Sequence, residues 1–185
     1  MRYLCLLIGL IWSLNSLAFD RTRHFGVAVK DASAKLLYVE ENDSQKHPKD
    51  QYMMIKVKGF KIRKNEVGRV RIAIWDKIDN YGKEGVEPFR ACSHWAKDAP
   101  SGEIIFKIAG FEKGKKYAFF AHFDKNNDGK VNRFLGIPTE PFIFSNAKFD
   151  GRTGPGLSRE GLSAPKFENT LITYTSPGQI LELSF

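Results

Sequence analysis

The chain has 185 residues, a net charge of +8, a pI near 9.5 and two cysteines. That is one domain's worth of chain, long enough to bury a real core. One of the two cysteines lies in the N-terminal leader described next, which excludes an internal disulfide from the rest. The basic balance favours anionic neighbours such as phosphorylated lipid or acidic glycan, and serves solubility as readily.

Met1-Arg2-Tyr3 is a short basic start, Leu4 to Trp12 is an apolar run, and Ser16-Leu17-Ala18 offers small residues where a signal peptidase reads. Residues 1–18 are therefore predicted to be a secretory signal peptide cleaved after Ala18. The apolar run is too short to span a bilayer comfortably, so no transmembrane segment is expected in the mature chain. Removing one Arg and no acid lowers the charge from +8 to +7. The expected location is the periplasm or the space outside the cell.

Residues 19–50 read as an N-terminal extension or linker, with a charged, Pro-containing stretch at 40–50. The segment VAVKDASAKLLYV before it suits a strand or a short helix. From Tyr52 the period becomes two. Met53, Ile55 and Val57 alternate with more polar residues, as do Val70, Ile72 and Ile74, and then Ile104, Phe106 and Ile108. Each is a half-buried strand pattern. Phe89 to Trp95 is a weaker candidate. Tyr117 to Phe123 is apolar on both faces, which suits a central strand covered on two sides. Leu171 to Thr175 and Ile180 to Phe185 complete the set, with the turn Ser176-Pro177-Gly178 between them. About seven short strands separated by regular turns predict an all-β fold over residues 51–185: a Greek-key antiparallel β-sandwich in the style of immunoglobulin or transthyretin domains. Residues 147–166 read as a long Gly/Pro/Ser-rich loop of the kind that is either functional or mobile.

Between strands lies Asp124-Lys-Asn126-Asn-Asp128-Gly129, a D-x-N-x-D-G pattern. Hard cations need oxygens converging from a tightly curved backbone, and the glycine permits the curve. Asp124, Asn126 and Asp128 are the candidate calcium ligands, with the carbonyl of Lys130 and a water held by Asn132. Leu135 stands where a helix-loop-helix site has a bidentate Glu, and a strand leads in, so this is no EF-hand. Glu140 is the nearest carboxylate able to complete the shell. Such a site would bind calcium weakly, on the order of 10⁻⁴ to 10⁻³ M. The same residues also read as a metal-free hairpin turn, Asn127-Asp128-Gly129, with Asx side chains bonding local backbone.

The second half has a characteristic order of motifs: Gly110-Phe111-Glu112-Lys113-Gly114-Lys115-Lys116-Tyr117, then FFAHFDKNNDGKVN, Leu135-Gly136-Ile137-Pro138-Thr139-Glu140, Phe144-Ser145-Asn146 and Pro165-Lys166-Phe167-Glu168. This resembles an uncharacterised family of bacterial exported proteins, domain of unknown function 2141, over roughly the stretch from 51 to 185. The resemblance implies a signal peptide and an exported β-sandwich akin to transthyretin-like and carboxypeptidase-regulatory modules. It implies no established activity and supplies no catalytic residues. In the family pattern His precedes the first Asp directly; here Phe123 holds that place and His122 stands one residue earlier, on the opposite face from Phe123.

Other constellations are bland. Cys92 and His94 share a strand face, yet no orienting acid is evident, and no ligand spacing links Cys92, His94 and His122 into a zinc site. Lys56, Lys58, Lys61, Arg63, Lys64, Arg69 and Arg71 read as a basic, solvated sheet face with a guarded edge. An exported chain without a stacking platform motif is not expected to bind nucleic acid. The expectation is a non-enzymatic exported sandwich of unknown partner, an anionic envelope component or a glycan, with a calcium loop ordering its binding end. The alternative is a calcium-dependent carbohydrate-binding module using Tyr81, Trp95 or Trp75 as stacking platforms. An enzyme built on the His122–Asp124 region ranks third.

Overall fold

Alternating burial over residues 52–58 and 103–109, and burial on both faces over 70–75, builds the molecule from two facing sheets. The computed structural model describes residues 27–31, 36–39, 50–63, 66–82, 86–134, 137–146 and 165–185. The expected signal segment and nearly all of the loop 147–166 lie outside them. In chain order the strands are β1 (Val27–Asp31), β2 (Leu36–Val39), β3 (Tyr52–Lys58), β4 (Arg69–Trp75), β5 (Arg90–Trp95) and β6 (Glu103–Ala109). They continue with β7 (Lys116–Asp124), β8 (Arg133–Phe134), β9 (Ile137–Pro138), β10 (Phe142–Phe144), β11 (Leu171–Thr173) and β12 (Gln179–Ser184).

One sheet has the order β12-β3-β6-β1-β2, the other β10-β7-β4-β5, with β11 also pairing on β7. The pairing of β3 with β6 and of β4 with β7, while the chain crosses between sheets, gives the expected Greek-key sandwich. All seven predicted strands are present. The additional short pairs β1–β2 and β8–β9, with β10, come from stretches without a clear period. Within the stretch read as an extension, β1 hydrogen-bonds to β6 along its length. The turn at Ser176-Pro177-Gly178 does not close a hairpin: it carries the chain from one sheet to the other, and β12 then runs parallel to β3.

The inward residues meet in register. Met53, Ile55 and Val57 stand opposite Ile108, Phe106 and Ile104. In the facing sheet Val70, Ile72 and Ile74 stand opposite Phe123, Ala121 and Phe119. All twelve are fully buried in one core, each large side chain contributing roughly 1.5–3 kcal/mol by leaving water. Gly68 is required by this packing, because a Cβ there would meet the Phe123 ring at 2.4 Å.

β7 is buried on both faces, as its apolar run predicts. Its outer face is covered by a second apolar layer of Ala73, Trp75, Ala118, Phe120, Phe142 and Phe144, against which Tyr81 and Phe167 pack. This layer and the loop after β7 position the polar residues described next.

Candidate functional site

Side chains two apart on a strand share a face. At the end of β7 that rule sends Phe123 into the core and places His122 and Asp124 together on the outer face, both fully buried. Across the ladder Arg71 of β4 stands opposite His122, and Arg69 opposite Asp124. Arg71 Nε donates to Asp124 Oδ2 at 2.6 Å, with the two side chains 2% and 0% exposed. Arg71 Nη2 donates to Asn127 Oδ1 at 2.9 Å. A buried charge this close to its partner is retained only when its remaining hydrogen-bonding capacity is also met. Asp124 meets that condition: Oδ1 accepts the Asp128 amide at 3.2 Å and Oδ2 the Gly129 amide at 2.9 Å.

The loop is curved by two left-handed residues, Asn127 (φ 60°) and Gly129 (φ 82°). Asn126 Oδ1 accepts the Asp128 amide at 3.2 Å, and its Nδ2 donates to Asp128 Oδ2 at 3.0 Å. Asp128 Oδ1 accepts the Lys130 amide at 2.8 Å. Partial burial pushes the Asp128 carboxyl up, but hydrogen bonds from the Lys130 amide, Asn126 and Asn132, with the attraction of His122, hold it below its ordinary value.

Glu140 returns from beyond β9 to close the loop. Its Oε1 accepts the Lys125 amide at 2.8 Å, and its Oε2 accepts the Asn132 amide at 3.1 Å and lies 3.0 Å from His122 Nε2. Burial again raises its carboxyl; the His122 contact and the two amides outweigh that and lower it. The carbonyl of Asn132 accepts from the Thr139 amide at 2.8 Å.

The six residues singled out as calcium ligands are thus brought to one loop, but the side-chain oxygens of Asp124, Asn126, Asp128 and Glu140 turn to other donors. Asp124 is committed to Arg71 and two amides, Asp128 to Lys130 and Asn126, and Glu140 to Lys125, Asn132 and His122. Among the described residues no group of three or more His, Cys, Asp or Glu side chains is gathered so as to hold a metal ion. A calcium shell needs several oxygens with free lone pairs aimed at one point. In this arrangement Asp124, Asn126, Asp128, Lys130, Asn132 and Glu140 do not fit one. Asx side chains bonding local backbone, the turn reading of the same sequence, describe the loop as it stands.

Arg71 was not legible as a member of this site. On alternation alone it belongs to a solvated basic face, yet it is buried. The basic residues expected on one face are divided between two sheets, Lys56 and Lys58 on β3 and Arg69 and Arg71 on β4, and those of β3 are partly neutralised: Lys58 Nζ lies 2.7 Å from Glu182 and Lys56 Nζ 3.5 Å from Glu103.

The aromatic platforms also change role. Trp75 is buried in the outer layer, and Tyr81 packs edge-on against it at 5.3 Å while its hydroxyl donates to the Pro165 carbonyl at 3.0 Å. Trp75 has no free face for a sugar, and Tyr81 is engaged by the rings of Trp75, Phe144 and Phe167. Trp95 is half-buried, with the Arg69 guanidinium 3.9 Å from its ring centre. The Phe144-Ser145-Asn146 motif is a stitch: Ser145 Oγ accepts the Phe119 amide at 2.9 Å and donates to the Thr170 carbonyl, and Asn146 Nδ2 donates to the Leu171 carbonyl at 2.7 Å.

Cys92 and His94 do share the inner face of β5, and Asp98 lies 3.4 Å from His94 Nε2, an acid that sequence spacing did not reveal. Burial pushes the Cys92 thiol far up, which opposes the thiolate that nucleophilic chemistry needs. Cys92 belongs to the core between the sheets, whereas His122 faces outward, so the sheet itself separates the three residues considered for zinc.

Among the described residues no helix is long and apolar enough to cross a membrane. No curated protein and no solved structure matches the chain. One family model, described as an uncharacterized protein conserved in bacteria (DUF2141), matches residues 55–180, from within β3 to the start of β12.

Proposed function

Because the chain belongs to this uncharacterised bacterial family, its role has to be argued from the site, and we propose that it is an exported, non-catalytic β-sandwich that binds or scaffolds an anionic component of the cell envelope. The working end in this reading is the segment from Asp124 to Asn146. The observation that carries it is the engagement of the acidic cluster: His122 is held through Nε2, its buried Nδ1 having no hydrogen-bond partner, and Asp124, Asp128 and Glu140 spend their oxygens on Arg71, His122, Asn126 or loop amides. Groups held this way order a surface and are poorly placed to exchange protons with a substrate. Within the same segment Lys130 is exposed and Phe134 is 69% exposed, one basic and one apolar group open to a partner. The net charge, +7 once the single Arg of residues 1–18 is removed from +8, supplies long-range attraction to an anionic surface.

The N-terminal leader supports export. The carbohydrate alternative has less behind it, since Trp75 and Tyr81 serve the outer layer and the loop carboxylates are engaged. The test is co-sedimentation of the mature chain with phosphatidylglycerol vesicles, beside retention on an immobilised acidic polysaccharide, at low and high salt. Retention on one of the two at low salt, weakened by salt and by Lys130→Ala with Phe134→Ala, is expected. No retention on either support at low salt would overturn the proposal.

A further inference from the structure

The loop carries a cation-collecting sequence, and a cation is already there. We infer that the Arg71 guanidinium stands in for the divalent ion that Asp124-x-Asn126-x-Asp128-Gly129 would otherwise gather, so that the loop is ordered without metal. This inference is independent of the binding role proposed above.

Three observations carry it. First, Arg71 reaches two points of the loop at once, Asp124 Oδ2 through Nε at 2.6 Å and Asn127 Oδ1 through Nη2 at 2.9 Å. A shared ion would draw the loop together in the same way, and a planar guanidinium does it with fixed geometry and a charge that does not titrate. Second, the guanidinium is delivered by a strand in register: Arg71 stands opposite His122 on the ladder of β4 with β7, so its placement does not depend on the loop folding first. Third, the Arg71 side chain is 2% exposed. An incoming calcium ion would have to take Asp124 and leave the buried guanidinium without that carboxylate's counter-charge, which is strongly unfavourable. The ion therefore has to compete against a partner that cannot leave.

The experiment is thermal unfolding of the mature chain and its variants in EDTA and in millimolar calcium. The wild type is expected to melt at the same temperature in both. Arg71→Met is expected to lose on the order of 10 °C, the cost of leaving Asp124 buried without its partner in a domain of this size. Calcium should then recover part of that loss in Arg71→Met and none of it in Arg71→Met with Asp124→Asn. A wild-type melting temperature that rises with calcium or falls in EDTA would overturn the inference. So would an Arg71→Met variant as stable as wild type, or one that folds and gains nothing from calcium. If Arg71→Met does not fold, the wild-type comparison alone still decides.

Discussion

Arg71 and His122 stand opposite each other across β4 and β7, yet each turns to a different acid, Arg71 to Asp124 and His122 to Glu140. Two cation-capable side chains on neighbouring strands thereby anchor opposite ends of one segment, its first residue and the residue that closes it. The segment that begins at Asp124 and ends at Glu140 is thus held at both ends from the same sheet face.

Glu140 does more of that holding than His122. Removing its carboxylate orphans the Lys125 and Asn132 amides as well as His122, whereas removing His122 leaves both amides satisfied. An orphaned buried donor costs about 1–3 kcal/mol, with the lower end applying to the Lys125 and Asn132 amides because they are only partly buried. Glu140→Leu is therefore expected to destabilise by about 3 kcal/mol or more, and His122→Phe by about 1–2 kcal/mol. Urea unfolding with an unchanged m-value checks the order; a larger loss for His122→Phe would contradict it.

Acid should loosen the same end. Glu140 and Asp128 are both held below their ordinary values of 4.5 and 3.8 in the folded chain. In both cases burial, which pushes upward, is outweighed by hydrogen bonds to the ionised form. The unfolded chain then binds protons more readily than the folded one. The stability these groups contribute is fully present above about pH 4.5 and is lost as pH falls through the depressed folded values. Urea midpoints measured from pH 7 to pH 3 should be flat at first and then fall. Glu140→Gln should start lower and fall less steeply; an identical slope below pH 4.5 would remove Glu140 from the account.

Cys92 should be silent in the native state. It is buried in the inter-sheet core, and burial raises its thiol. Reaction with Ellman's reagent is expected only at the rate of unfolding, and immediately in denaturant. Prompt stoichiometric reaction of the folded chain would reopen the Cys92–His94–Asp98 arrangement as chemistry.

The strands were legible because a two-sided sandwich forces alternation, and Met53, Ile55, Val57 or Val70, Ile72, Ile74 declare their inward face directly. The covered central strand was legible too, from the apolar residues on both faces of β7. What was not legible depends on register. Arg71 and Asp124 are 53 residues apart, and only the alignment of β4 on β7 brings them together. The outward Trp75 looked available for the same reason: nothing local says that Phe120, Phe144 and Tyr81 cover it. Glu140 was identified by proximity, but whether its oxygens meet an ion or amides is settled by the backbone around it. His122 was weighed against its neighbour Phe123, although period two ties it to Asp124.

Asn127 offers the sharpest separation of backbone from charge. It combines a left-handed conformation, φ 60°, with a side-chain oxygen that accepts from Arg71 Nη2 at 2.9 Å. Asn127→Gly removes the acceptor but relieves the backbone, because glycine adopts this conformation freely. Asn127→Ala removes the acceptor and keeps a Cβ in a region that costs an L-residue about 1–2 kcal/mol. Hydrogen bonds to charged groups contribute about 1.5–3 kcal/mol, discounted here because the bond is only partly buried and Arg71 keeps Asp124. The expected order of stability is wild type, then Asn127→Gly lower by about 1 kcal/mol, then Asn127→Ala lower again by about 1 kcal/mol. The step from glycine to alanine reads the backbone alone, and the step from asparagine to glycine reads the lost link to Arg71 less the backbone relief. In the Arg71→Met background the first step should persist and the second should shrink, since no guanidinium remains to be accepted. Equal losses for Asn127→Gly in both backgrounds, measured by urea unfolding, would show that the loop does not feel Arg71 through Asn127.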